Sequence, residues 1–151
     1  MSAFLVAILL VIAFVTGSVM ALRPSPRQRQ LALFRARAVA ARLSVQWQPG
    51  GQGIDYVLPW AAEDASRAKT LRFAVERAAG GSWTSGPDAA DPPVAVVTAL
   101  ARLPASVTRV RVVAGGLAAC WNETGSLSDV EDIASSLGEL GALLLAGSRA
   151  L

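Results

Sequence analysis

The sequence predicts a single transmembrane helix followed by a small α+β domain of about five mostly antiparallel strands with two helices on one face. Three observations lead there. Residues 1–22 carry no charged side chain and end abruptly at Arg23-Pro24. From Ser44 onward, short alternating runs are separated by paired glycines and prolines, the punctuation of strands and turns. A strongly amphipathic helix then closes the chain after Ser128.

At about 1.5 Å per helical residue, 22 residues reach roughly 33 Å, against a hydrocarbon core of about 30 Å. Residues 1–22 therefore read as an anchor. A secretory signal is the competing reading, since Val19 and Ala21 suit the small positions before a cleavage site; the lack of a basic residue in Met1-Ser2-Ala3 opposes it. The only cysteine is Cys120, which excludes a lipoprotein signal. Ala13, Gly17 and Ala21 recur every fourth position, the spacing that lets a second helix approach closely.

Residues 23–43 form a basic juxtamembrane segment. Arg23, Arg27, Arg29, Arg35, Arg37 and Arg42 precede the first carboxylate, Asp55. Basic residues just inside a span favour the cytoplasm, so the expectation is a bacterial inner-membrane protein, N-terminus outside and domain cytoplasmic, with these arginines on the membrane surface. Thirteen arginines against one lysine, in an alanine- and glycine-rich chain, agree with a G+C-rich bacterial genome. Pro24 and Pro26 end the first helix, and a second is expected from Arg27 to about Leu43.

Residues 44–151 make one domain of ordinary size. Of the 14 basic residues in the chain six lie before Ser44, leaving eight against 11 acidic ones. The high isoelectric point thus belongs to the collar, and nucleic acid is not an expected partner. Ser44–Gln48 and Ile54–Leu58 read as strands joined by a turn at Pro49-Gly50-Gly51-Gln52-Gly53; no Gly-Lys-Ser/Thr follows, which sets aside a phosphate loop. Ala61–Lys69 is a polar connection. In Thr70–Arg77, Leu71, Phe73 and Val75 alternate with Arg72, Ala74 and Glu76, a half-buried strand, although a helix through Ala61–Ala79 competes with it.

Gly80-Gly81 turns the chain, and residues 82–93 read as loop. Pro93 opens a helix to about Leu103. Val107–Ala114 and Leu117–Trp121 form a hairpin about Gly115-Gly116, and residues 122–125 a turn. Ser128 with Glu131 makes a capping box, with Asp129 and Asp132 beside them at the positive end of the helix dipole; Val130, Ile133, Leu137, Leu140 and Leu144 then supply a buried stripe.

With no histidine and one cysteine, disulfide frameworks, Cys/His zinc sites and histidine acid–base chemistry are excluded. No cofactor is expected, and Cys120 reads as a small buried hydrophobe. Trp47, Trp60, Trp83 and Trp121 serve either as packing or as a groove for a partner; Arg109 and Arg111, alternating with Val110 and Val112, would extend such a surface from one sheet face. The expected function is an accessory or scaffold protein presenting an interaction domain beside a membrane-protein complex, or self-associating through its first helix. An anionic-lipid or small-ligand sensor is the alternative, and an enzyme built on carboxylates and Tyr56 a more distant one.

Overall fold

The computed structural model describes residues 3–21, 24–48, 53–86 and 92–148, and the chain divides into two units, Met1–Ala32 and Leu33–Leu151. In the first unit, helix α1 spans Ala3–Ala21. Its side chains are described as far as Thr16, and Phe4, Leu10 and Phe14 are exposed, Phe14 to 77%.

Among the described residues no helix is long and apolar enough to cross a membrane. This overturns the transmembrane element of the expected fold, and with it the single-pass inner-membrane location. Residues 1–22 would reach across a core of about 30 Å, whereas the part of α1 with described side chains, residues 3–16, is about 21 Å long at ~1.5 Å per residue. Thr16 and Ser18 interrupt its apolar run near the C-terminal end. Gly17 and Ala21 are helical in backbone, but their side-chain surroundings lie outside the described residues, as do Arg23 and the turn residues 49–52.

Helix α2, Pro26–Ala40, begins in the first unit and ends in the second. Ser25 and Gln28 cap it reciprocally: the Gln28 amide donates to Ser25 Oγ (3.2 Å) and the Ser25 amide to Gln28 Oε1 (2.8 Å). Pro26 occupies the first helical position, where a missing N–H costs nothing. The helix ends in a left-handed turn at Arg42 (φ 61°), and the Leu43 amide reaches back to the Ala38 carbonyl (2.8 Å). That geometry usually takes glycine.

The second unit continues with β1 (Ser44–Trp47), β2 (Ile54–Pro59), the one-turn helix α3 (Ala65–Ala68), β3 (Ala74–Arg77), β4 (Trp83–Ser85), α4 (Val94–Leu100), β5 (Val107–Val113), β6 (Gly116–Trp121) and α5 (Leu127–Gly147). The six strands form one antiparallel sheet in the order β1-β2-β6-β5-β3-β4. Tyr56 lies opposite Ala119, Ala119 opposite Val110, and Val110 opposite Val75, so these four share a face. Val130, Ile133, Leu137 and Leu140 of α5 are fully buried, and α5 comes onto this face where Gly138 approaches Leu58 and Gly141 approaches Trp60. Phe34 of α2 packs there too, its ring 5.1 Å from that of Trp121.

Asp55, Cys120, Arg109 and Glu76 line up on the opposite face, beside Val57, Ala118, Arg111 and Ala74. A bulge between Val107 and Arg109 adjusts the register of β5. Central strand β6 is buried along its whole length, which explains its run of Gly, Leu, Ala, Ala, Cys and Trp without a charge.

Six strands replace the expected five because Trp83–Ser85, read as loop, pairs with β3. The alternating run from Thr70 contributes a strand only from Ala74, since Thr70 and Leu71 still bond back to the turn that ends α3. The final helix is capped two residues earlier than expected: Ser126 donates through its amide (3.3 Å) and its hydroxyl (2.8 Å) to Asp129, not Ser128 to Glu131. Glu131 instead pairs with Arg37.

Candidate functional site

Two constellations in the second unit bring polar chemistry together. The first is a buried network centred on Glu123, in the turn after β6. Glu123 is 4% exposed, and its backbone adopts φ 55°. Arg35 of α2 donates from Nε and Nη2 to the two carboxylate oxygens, each at 3.1 Å, and Tyr56 of β2 donates its hydroxyl to Oε1 at 2.8 Å. The paired geometry matches a guanidinium fork to a carboxylate, the strongest form of such contact. Hydrogen bonding to Glu123 raises the Arg35 pKa above its ordinary value despite desolvation. Burial first, then the Glu123 carboxylate, pushes the Tyr56 phenol well above its ordinary range.

Around this network lie Trp121 and Trp47. The Tyr56 and Trp121 rings meet edge to face at 5.2 Å. Arg35 stacks over Trp47 at 5.2 Å from the ring centre, and Trp47 remains 71% exposed. With both Glu123 oxygens engaged, the arrangement fastens the end of α2 to β2 and β6.

The second constellation is a cleft of about 800 Å³ where residues 68–73 meet the C-terminal half of β5. Local backbone bonding explains the opening. Phe73 accepts from the Val112 amide (2.9 Å), extending the β3–β5 pairing by one residue, and the chain then leaves the ladder toward α3. Leu71, Phe73, Val112 and Val113 line the cleft and are half-buried. Lys69, Arg72 and Arg111 bring three cations, and no carboxylate lines it among the described residues. Arg72 Nη1 donates to the Lys69 and Leu71 carbonyls (3.0 and 3.1 Å), holding the turn that carries both cations. Arg111 is fixed from below by Asp55, Nη2 to Oδ2 at 2.7 Å; Asp55 is 5% exposed and also accepts from Gln48 Nε2 at 2.7 Å.

The aromatic residues singled out in the sequence are not gathered into one groove. Trp47 and Trp83 sit on the two outermost strands, five strand spacings or roughly 24 Å apart. Trp60 packs by α5, its indole N–H without an acceptor among the described residues. Trp83 donates to the Leu100 carbonyl (3.1 Å) and stacks with Arg77, 4.5 Å from its ring centre. Burial lowers the Arg77 pKa from its ordinary value. Arg109 and Arg111 do share a face, each paired: Arg109 Nε with Glu76 at 2.7 Å, Arg111 with Asp55.

The basic collar is also divided. Arg27 and Arg29 are exposed on α2, Arg35 and Arg37 engage carboxylates of the second unit, and Arg42 closes the helix. Glu123 is not legible in the sequence because it lies within a turn signal, and Lys69 and Arg72 are not because they lie where strand and helix patterns compete. The available cue for the latter was a cationic pair flanking Leu71 in a domain with more acidic than basic residues.

No family model matches this chain, and neither characterised proteins nor solved structures include a match to it.

Proposed function

We propose that the second unit is a small-molecule-binding domain whose ligand occupies the cleft between residues 68–73 and β5. The observation that carries this reading is the cleft itself: about 800 Å³, within the usual size of ligand pockets, with apolar side chains left half-buried beside converging polar groups. The two buried carboxylates among the described residues, Asp55 and Glu123, are each bonded to arginine, which favours binding over carboxylate catalysis. The test is a screen of small amphiphiles against the full chain by methyl and amide NMR. Shifts concentrated at residues 68–74 and 111–114, abolished when Ala74→Trp fills the cleft, are expected; shifts confined to other regions would reject the reading.

A second reading rests on α1. Its exposed Phe4, Leu10 and Ile12 form more apolar surface than an isolated helix keeps in water, and association of α1 with another copy would cover part of it. Gly17→Ile should reduce the size of such an assembly in analytical ultracentrifugation. An unchanged monomer in both proteins counts against it.

A further inference from the structure

Taking the cleft as a ligand site, and resting on that reading, we infer that its occupant is an amphiphilic organic anion: a single negatively charged head group held by Lys69, Arg72 and Arg111, with an apolar body along Leu71, Phe73, Val112 and Val113. Charge complementarity selects this class. Residues 44–151 are net acidic, yet the described lining of the cleft contains three cations and no carboxylate. Arg67 is neutralised by Asp64 and Arg111 by Asp55, each at 2.7 Å, so the net positive field comes from Lys69 and Arg72, and Arg111 adds oriented N–H donors. A neutral apolar ligand would fill the cleft but leave that field unanswered, and a bare inorganic anion would leave the apolar wall wet.

The three cations are held differently. Arg111 is preorganised by Asp55, its one ion-pair partner among the described residues, and its Nε–H has no acceptor among them. Among the described residues one of its five N–H donors is hydrogen-bonded, Nη2 to Asp55, and the Nε–H is buried, so the remaining guanidinium N–H groups are the ones that can meet a head group. Arg72 spends Nη1 on the turn carbonyls, and Lys69 is exposed at the end of α3. A carboxylate or phosphate monoester can thus approach without breaking any ion pair, so the head group is recognised by charge-assisted hydrogen bonds whose donors are already in place.

The experiment compares decanoate, decyl phosphate, decanol and inorganic phosphate on the full chain, read by shifts of the Leu71, Val112 and Val113 methyl signals. Decanoate or decyl phosphate should bind at least about tenfold more tightly than decanol, and Lys69→Gln/Arg72→Gln should remove that advantage while leaving decanol unchanged, as expected for loss of two exposed cation contacts. The stronger of the two anions identifies the head group. Equal binding of decanol and the anions, unaffected by the double substitution, would overturn the anion while preserving the cleft as a ligand site. Shifts from inorganic phosphate with none from the amphiphiles would overturn the apolar body. No shift at these methyls from any probe would overturn both this inference and the binding function beneath it.

Discussion

Arg35 and Glu123, 88 residues apart in sequence, meet through two parallel hydrogen bonds of 3.1 Å that join the end of α2 to the turn beyond the central strand. Glu123 is buried, whereas the Arg35 side chain keeps about a third of its exposure. Truncation of Arg35 would therefore leave a buried carboxylate short of its cation. Arg35→Ala should destabilise the chain by about 2 kcal/mol, less than for a fully buried pair because water reaches the arginine. Glu123→Gln should cost less than Arg35→Ala, since a neutral amide remains able to accept from Tyr56. Chemical denaturation of both variants checks the order, and a reversed order would mean that the pair does not fasten α2.

Tyr56 gives a pH dependence of defined sign. Its phenol is raised above the ordinary value of about 10, by burial first and by Glu123 second. The neutral phenol is the form that the fold favours, so its contribution is complete below about pH 10 and declines as the pH rises through and beyond that value toward the raised folded pKa. At neutral pH, Tyr56→Phe should cost about 1.5–3 kcal/mol through the lost bond to a charged acceptor. Above about pH 10 the wild type should lose stability more steeply than the variant; parallel curves would assign the alkaline loss to another group.

At the end of α2, Arg42 holds a left-handed backbone at φ 61°. A side chain there costs roughly 1 kcal/mol that glycine avoids. Arg42→Gly should therefore raise the unfolding free energy by up to about 1 kcal/mol, even though a charge is removed. A loss of stability on calorimetry would show that the arginine side chain contributes more than its backbone conformation costs.

Two glycines should respond oppositely to alanine. A Cβ on Gly116 would lie 2.2 Å from the Leu58 carbonyl oxygen, a backbone atom that the sheet ladder holds in place. Gly116→Ala should cost about 1–3 kcal/mol by overpacking. On α5, a Cβ at Gly138 would meet, among the described residues, only Leu58 Cδ2, at 3.9 Å, and the better helix propensity of alanine should stabilise the chain by about 0.5–1 kcal/mol. Denaturation midpoints moving in opposite directions are the expected result.

Elements whose local pattern and tertiary burial agree are legible in the amino-acid sequence. The paired glycines at Gly115-Gly116 locate the β5–β6 hairpin, and the apolar stripe of Val130, Ile133, Leu137 and Leu140 locates the buried side of α5. Trp83–Ser85 is not legible: a three-residue edge strand has too few residues to show a period, and only pairing with β3 defines it. The cap of α5 is displaced by two residues because Ser126 and Ser128 both offer a capping signature, and the fold chooses Ser126 with Asp129. Charge misleads most in the collar, where Arg35 and Arg37 read as a membrane-facing pair but meet Glu123 and Glu131.

Sequence alone settles what is local: which segments become most of the strands, where glycine and proline turn the chain, that α5 is amphipathic, and that histidine and disulfide chemistry are absent. Each of these follows from the chemistry of neighbouring residues at period two or 3.6. Tertiary structure alone decides that Glu123, Arg35 and Tyr56 share one buried site and that Lys69, Arg72 and Arg111 surround one cleft. Those groups come from distant segments, and their partnership depends on strand order and on which face each side chain takes. A change of one residue in register would send Tyr56 and Arg111 to opposite faces from those they occupy, so no local pattern can specify either site.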